Sequence, residues 1–115
     1  MTDTVARFLA LLGPKGVKVF AVIDQRAEAL AAGLDLRETT LVVFGNPSAG
    51  TGIMDAAPLA ALDLPLKVLV WSGADGATQV SYTDPSVVSA RYGLDAGLAA
   101  RLDVVHGLTD ALVAG

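Results

Sequence analysis

Residues Thr39–Met54 read TTLVVFGNPSAGTGIM. The β-branched and aromatic run Leu41–Phe44 has the composition of a short buried strand. It enters Gly45-Asn46-Pro47-Ser48-Ala49-Gly50-Thr51-Gly52, which reads as a glycine-rich loop. A short helix is expected from Met54 to Leu62, broken or kinked at Pro58. The remainder of the chain reads as scaffold around this strand-to-loop junction.

Before it, residues 2–12 form a helix whose buried stripe is Val5, Phe8, Leu9 and Leu12, at the i, i+3, i+4, i+7 spacing. Thr2, Asp3 or Thr4 can cap it, and Gly13-Pro14 ends it. Residues 17–24, VKVFAVID, read as a strand covered on both faces or wet on one face around Lys18. Asp24 is the expected N-cap of a second helix with Gln25 in its first turn and Gly33 at its C-terminus. A polar connection, Leu36–Thr40, leads back to the central strand.

After it, Pro65 introduces a strand over Leu66–Ser72. Gly73-Ala74-Asp75-Gly76 is hairpin chemistry, because a tight turn matching strand twist needs positive φ. Ala77–Thr83 alternates as a half-exposed strand. Asp84-Pro85 starts a helix, cap followed by proline at the first helical position, that runs to Tyr92 and stops at Gly93. From Asp95 onward Leu98, Leu102, Val105 and Leu112 keep helical spacing, with Gly97 and Gly107 as weak points. The expected architecture is α+β, a small mixed or antiparallel sheet of about four strands with helices mainly on one face. Residues 1–93 form the domain, and 94–115 a helical tail packed on it.

At 115 residues the chain is one domain, large enough for a core without disulfides or metal. It has no cysteine, so thiolate metal sites and cysteine nucleophiles are excluded. That fits a reducing compartment, and the cytoplasm is the expected location. A net charge of −4 argues against nucleic acid or an anionic membrane as partner. No apolar run reaches the length of a membrane span, and no signal peptide is read at the N-terminus. With 53% hydrophobic and only 17% charged residues, part of the surface is expected to be hidden in a homodimer.

The loop has two readings. It is either ordinary turn chemistry or a cradle in which Gly45, Gly50 and Thr51 offer backbone N–H groups and a hydroxyl to a small polar or anionic ligand. Gly45 and Gly50 have the G-x-x-x-x-G spacing of a nucleotide P-loop, but Thr51-Gly52 puts no lysine and no metal-binding hydroxyl in register. G-x-G-x-x-G and Gly-x-Ser-x-Gly are both absent.

The runs VKVFAVID, AEALAAGLDLRETTLVVFGNPSAGT and APLAALDLPLKVLVW, with the Asp-Gly hairpin, together resemble the DUF302 family. The resemblance covers about residues 4–93 and is carried most specifically by FGNP…GT and LDLPLKVLV. It implies a compact βαβ4α-like domain, often dimeric, without an established activity. Three positions depart from the family pattern. Gln25 stands where a histidine is common, Ser48 where a lysine is common, and Gly52 where a proline is common. The reactive side chains of that pattern are therefore missing here.

The expected site is a non-catalytic binding loop of Asp24, Gly45, Asn46, Ser48, Gly50 and Thr51, with no metal and no cofactor. Asp24 is fully explained as a cap, the favoured reading, and Asp55 is either a general base or a first-turn acid favouring the helix dipole. The least favoured reading is an enzyme using Asp24 or Asp55. Arg37 could contact an anion or stand in solvent. Trp71 and Tyr82 could line a shallow pocket or pack on a strand. His106, the single histidine, lies outside the resemblance and is expected to play a surface or tail role. The alternative function is a homodimeric structural or interaction module.

Overall fold

A computed structural model describes residues 1–114, Lys15 by its backbone alone; Gly115, the end of the expected tail, lies outside the described residues. The strands are β1 (Lys18–Asp24), β2 (Thr39–Gly45), β3 (Leu66–Ser72) and β4 (Thr78–Ser81). They form one antiparallel sheet in the order β1-β2-β3-β4. The helices are α1 (Thr2–Leu12), α2 (Gln25–Ala31), α3 (Pro47–Ala56), α4 (Pro85–Tyr92), α5 (Ala96–Ala100) and α6 (Val104–Ala114). The expected α+β class with a four-stranded sheet is the observed one.

Strand alternation sorts the sheet into two unlike faces. β2 buries Thr40, Val42 and Phe44 and leaves Thr39, Leu41 and Val43 half-buried. Residues opposed across the ladder share a face, so Val68 and Val70 join Val42 and Thr40 on the covered side. There they pack with Phe8 and Leu12 of α1 and with Val105, Leu108 and Leu112 of α6. The ring centroids of Phe8 and Phe44 are 5.4 Å apart at 78°, an edge-to-face contact at the centre of this cluster. The tail helix thus shares its core with the N-terminal helix. Arg7 ties the two together by donating from Nη2 to the Leu112 carbonyl at 2.6 Å.

The opposite face carries Ala21, Ile23, Leu41, Val43, Leu69 and Trp71, all half-buried. β1 lies at the sheet edge and is exposed at Lys18, Val19, Phe20 and Val22, so it is not the doubly covered strand allowed by its apolar sequence. Its register slips between Val19 and Ala21, leaving Phe20 as the extra residue of a β-bulge.

A second, smaller cluster of Ile53, Ala60, Val88 and Leu102 joins α3, the 3-10 turn Pro58–Leu62, α4 and the α5–α6 turn. α4 begins as expected: Asp84 Oδ1 accepts from the Ser86 amide at 2.9 Å, Pro85 follows, and Gly93 closes the helix in the left-handed region at φ 62°. The Ser86 amide also holds the Asp84 carboxyl below its ordinary range. The hairpin forms at Gly73–Gly76, with Gly76 at φ 81° and Asp75 Oδ1 accepting from the Ala77 amide.

Several local expectations are corrected. α1 has Met1 at its N-cap and no side-chain cap, so Thr2, Asp3 and Thr4 do not play that part. The tail breaks at 101–103, while Gly97 and Gly107 lie inside α5 and α6. The largest difference concerns the glycine-rich loop. Only Asn46 separates β2 from α3, and residues 47–52 are helical. Asn46 caps that helix through Oδ1 to the Ser48 amide at 3.0 Å, and Pro47 occupies its first position. Neither Gly50 nor Gly52 adopts positive φ. Pro58 does break the following segment, with α3 ending at Ala56 and the 3-10 turn beginning at Pro58.

Candidate functional site

The strand-to-helix junction closes one end of a cavity of about 310 Å³. Gly45 and Asn46 reach it from the end of β2, and Pro47, Ala49, Gly50, Ile53 and Met54 from α3. Leu64, Pro65 and Leu66 form another wall, leading into β3 through a cis Leu64–Pro65 peptide. Phe44 lies at its floor, and Arg101, Leu102 and Val104 approach from the α5–α6 turn. The bulge in β1 aims the Phe20 ring into this wall, where Phe20 Cε2 is 3.6 Å from the position of a β-carbon at Gly45. Pro65 Cβ lies 3.5 Å from that same point, so Gly45 keeps two walls in contact.

Three of the six expected binding residues border the cavity: Gly45, Asn46 and Gly50. The other three lie elsewhere. Ser48 faces solvent, with its amide donating to Asn46. Thr51 turns its hydroxyl back onto the Pro47 carbonyl at 2.6 Å, the i−4 bond of a helical threonine. Asp24 pairs in register with Thr40, whereas Gly45 pairs with Lys18, so Asp24 lies at the far end of β2, about 17 Å along the strand. There it caps α2 by accepting from the Ala27 amide at 2.9 Å. Two amides of the junction are also spent, since Ser48 donates to Asn46 Oδ1 and the Gly50 N–H donates to the Asn46 carbonyl at 2.9 Å.

The other sequence candidates stand apart from the cavity. Asp55 is exposed near the C-terminal end of α3, not in its first turn, so it has no favourable dipole role. Arg37 is exposed on the connection before β2, where its carbonyl accepts from the Thr39 hydroxyl. Trp71 lies on the open sheet face and donates from Nε1 to Ser81 Oγ at 2.9 Å. Tyr82 instead packs against the main core and shares a hydrogen bond of 2.7 Å with Nδ1 of His106. His106 is thus a half-buried partner of Tyr82 and not a free tail residue. Among the described residues, no three His, Cys, Asp or Glu side chains come together as a metal site.

Sequence spacing missed Arg101. It crosses 52 positions to donate from Nη1 to the Ala49 carbonyl at 3.2 Å. A β-carbon at Gly52 would overlap the same Nη1. Gly52 is therefore a seat for the guanidinium, and no local pattern announces it. Also missed is a polar clamp outside the cavity. Asp63 Oδ2 accepts from Arg91 Nη1 at 2.7 Å and from the Tyr92 hydroxyl at 2.5 Å, tying the end of the 3-10 turn to α4. The Tyr92 bond first, and Arg91 second, hold the Asp63 carboxyl below its ordinary range, and the same bond pushes the Tyr92 hydroxyl up.

A four-stranded antiparallel sheet with α1 and α6 on one face, and an apolar hollow at the β2–α3 junction, defines a small α+β domain. The chain belongs to the family described as Domain of unknown function DUF302, whose model matches residues 1–112. His106 and most of α6 thus fall within the matched span. The fold is shared with the crystal structure of an uncharacterized conserved DUF302 protein from Bacillus stearothermophilus, at a TM-score of 0.80 and 19% identity over 97% of this chain and 87% of that one. In sequence the chain is 35% identical over 94 residues to the fluoride-specific ion channel FluC 1 of Brucella suis biovar 1. It is 35% identical over the same length to FluC 2 of Brucella melitensis biotype 1. These matches cover 82% of this chain but only 37% and 35% of the two relatives, so the chain spans little more than a third of their length. No described helix is long and apolar enough to cross a membrane.

Proposed function

We propose that this domain is a binding module that holds a small ligand in the cavity at the β2–α3 junction, without catalysis. The carrying observation is the cavity itself, whose volume of about 310 Å³ lies at the lower end of the range for small-molecule sites. Among the described residues its bordering side chains include no nucleophile and no acid–base pair, which supports binding over reaction. The site is the one centred on Gly45, Asn46 and Gly50, with Arg101 added at its rim. Native mass spectrometry of the purified protein, beside binding of an apolar fluorescent probe, tests this reading. Met54→Trp, which fills the cavity, is expected to abolish both the retained ligand and the probe signal. Equal binding by this variant and the wild type sinks the proposal.

The open sheet face favours a second reading, in which two copies associate. Six adjoining half-buried apolar side chains on one sheet face are a typical association surface. Light scattering after size exclusion is expected to give a dimer that Leu69→Lys converts to a monomer. A wild-type chain that stays monomeric at high concentration removes this reading. The fluoride-channel relatives add a context: joined to a longer chain, such a domain would serve as a ligand-binding attachment, not as a conducting segment.

A further inference from the structure

The cavity is walled by carbon, chiefly Phe20, Phe44, Ile53, Met54 and Leu102. Among the described residues two polar side chains, Asn46 and Arg101, reach it. The Asn46 side-chain Oδ1 is committed to the Ser48 amide. Arg101 is differently placed. Among the described residues it donates one hydrogen bond, to the Ala49 carbonyl, and pairs with no carboxylate. A guanidinium carries five N–H donors in a planar fork, so most of its capacity is free.

Charge around the cavity runs against the charge of the chain. The protein has 12 Asp and Glu against 8 Lys and Arg, yet among the described residues no carboxylate borders the cavity. Two further cations lean on its walls. The Lys18 ammonium lies 5.3 Å from the centre of the Phe20 ring, and Lys67 Nζ donates to the Pro65 carbonyl at 3.2 Å. An apolar hollow with a positive rim is suited to a molecule with a hydrocarbon body and one anionic end.

We propose that the ligand is a small amphiphilic monoanion, an aliphatic or aromatic carboxylate whose hydrocarbon part fills the cavity and whose carboxylate pairs with Arg101. This assignment rests on the binding reading above and names its ligand class. At about 310 Å³ the cavity is of a size for a small ligand. A carboxylate accepts two parallel N–H bonds from one guanidinium, the match that a planar fork provides. A cation would be repelled at the rim. A dianion would lose solvation that a single guanidinium cannot replace.

Calorimetric and NMR titrations with octanoate, 1-octanol and octylamine test this on the intact chain. Octanoate is expected to bind at least about tenfold more tightly than octanol, the scale of one charge-assisted hydrogen bond, and octylamine more weakly than either. Arg101→Gln is expected to bring octanoate down to the octanol affinity and to leave octanol unchanged. Octylamine binding as well as octanoate, or octanoate binding unaltered in Arg101→Gln, overturns the monoanion while leaving cavity binding in place. If none of the three probes shifts the amides of Ile53 and Leu102, the cavity-binding reading falls as well.

Discussion

Arg101 lies across α3 at Gly52, where the missing side chain leaves room for its guanidinium. A helical glycine is ordinarily a liability of about 1 kcal/mol relative to alanine. Here it lets a residue from the α5–α6 turn reach the rim of the cavity. Gly52→Ala is expected to raise helix stability by up to that amount while pushing Arg101 aside. Denaturant unfolding is then expected to show an unchanged or higher midpoint, and octanoate binding a severalfold loss. A clearly lower midpoint would mean that the Arg101 seat, not helix propensity, dominates the stability of this region.

Phe8 and Phe44 are both fully buried and meet edge to face. Phe44→Ala removes that contact and leaves a void between sheet and helices. The expected cost is about 3–5 kcal/mol, a large part of the ~5–15 kcal/mol available to a domain. Equilibrium unfolding in urea gives the value, and a loss below about 1 kcal/mol would contradict the packing described.

Arg7 holds the last turn of α6 through the Leu112 carbonyl. Arg7→Met keeps much of the aliphatic stem and removes the donor. The expected loss is about 1 kcal/mol. It is local, so amide hydrogen exchange is expected to speed up in the last turn of α6 and to stay constant in β2 and β3. Faster exchange in the sheet would show that the whole domain, and not one helix end, depends on this bond.

The clamp on Asp63 makes a prediction about pH. The Asp63 carboxyl is held below its ordinary value of 3.8, so its contribution is present above that value and lost as pH falls through the lower folded one. Tyr92 is pushed above its ordinary 10.0, so the same bond contributes below that value and is lost as pH rises through the higher folded one. Asp63→Asn is expected to flatten both the acid limb below 3.8 and the alkaline limb above 10.0 in a plot of urea midpoint against pH. Identical limbs in variant and wild type would rule out the clamp as a contributor.

Local grammar was legible where one signal stood alone. Asp84-Pro85 reads as cap plus first helical residue, and Gly93 as the stop, because each conformation is fixed within a few residues. Asn46-Pro47 carries the same grammar, but Gly50 and Gly52 lower helix propensity and make the segment read as a loop. Tertiary contact overrode that propensity. The cavity was legible only in part, since Gly45, Asn46 and Gly50 belong to the quoted stretch while Phe20 and Arg101 arrive from distant segments. Asp24 looked like a neighbour of the loop because both end strands. Antiparallel pairing places those two ends at opposite sides of the sheet. The Asp63 clamp joins residues 28 and 29 positions apart and leaves no trace in spacing.

The bulge at Phe20 also sets the form of the unpaired sheet edge. β1 is an unpaired edge with Phe20 45% and Val22 46% exposed, a composition that invites strand addition and fibril growth. The extra residue bends the edge and spoils its register, and Lys18 places a charge beside it. Deleting Phe20 would straighten β1 into a regular hydrogen-bonding template. The residue that breaks the regularity of this edge is thus the same one that supplies one wall of the cavity.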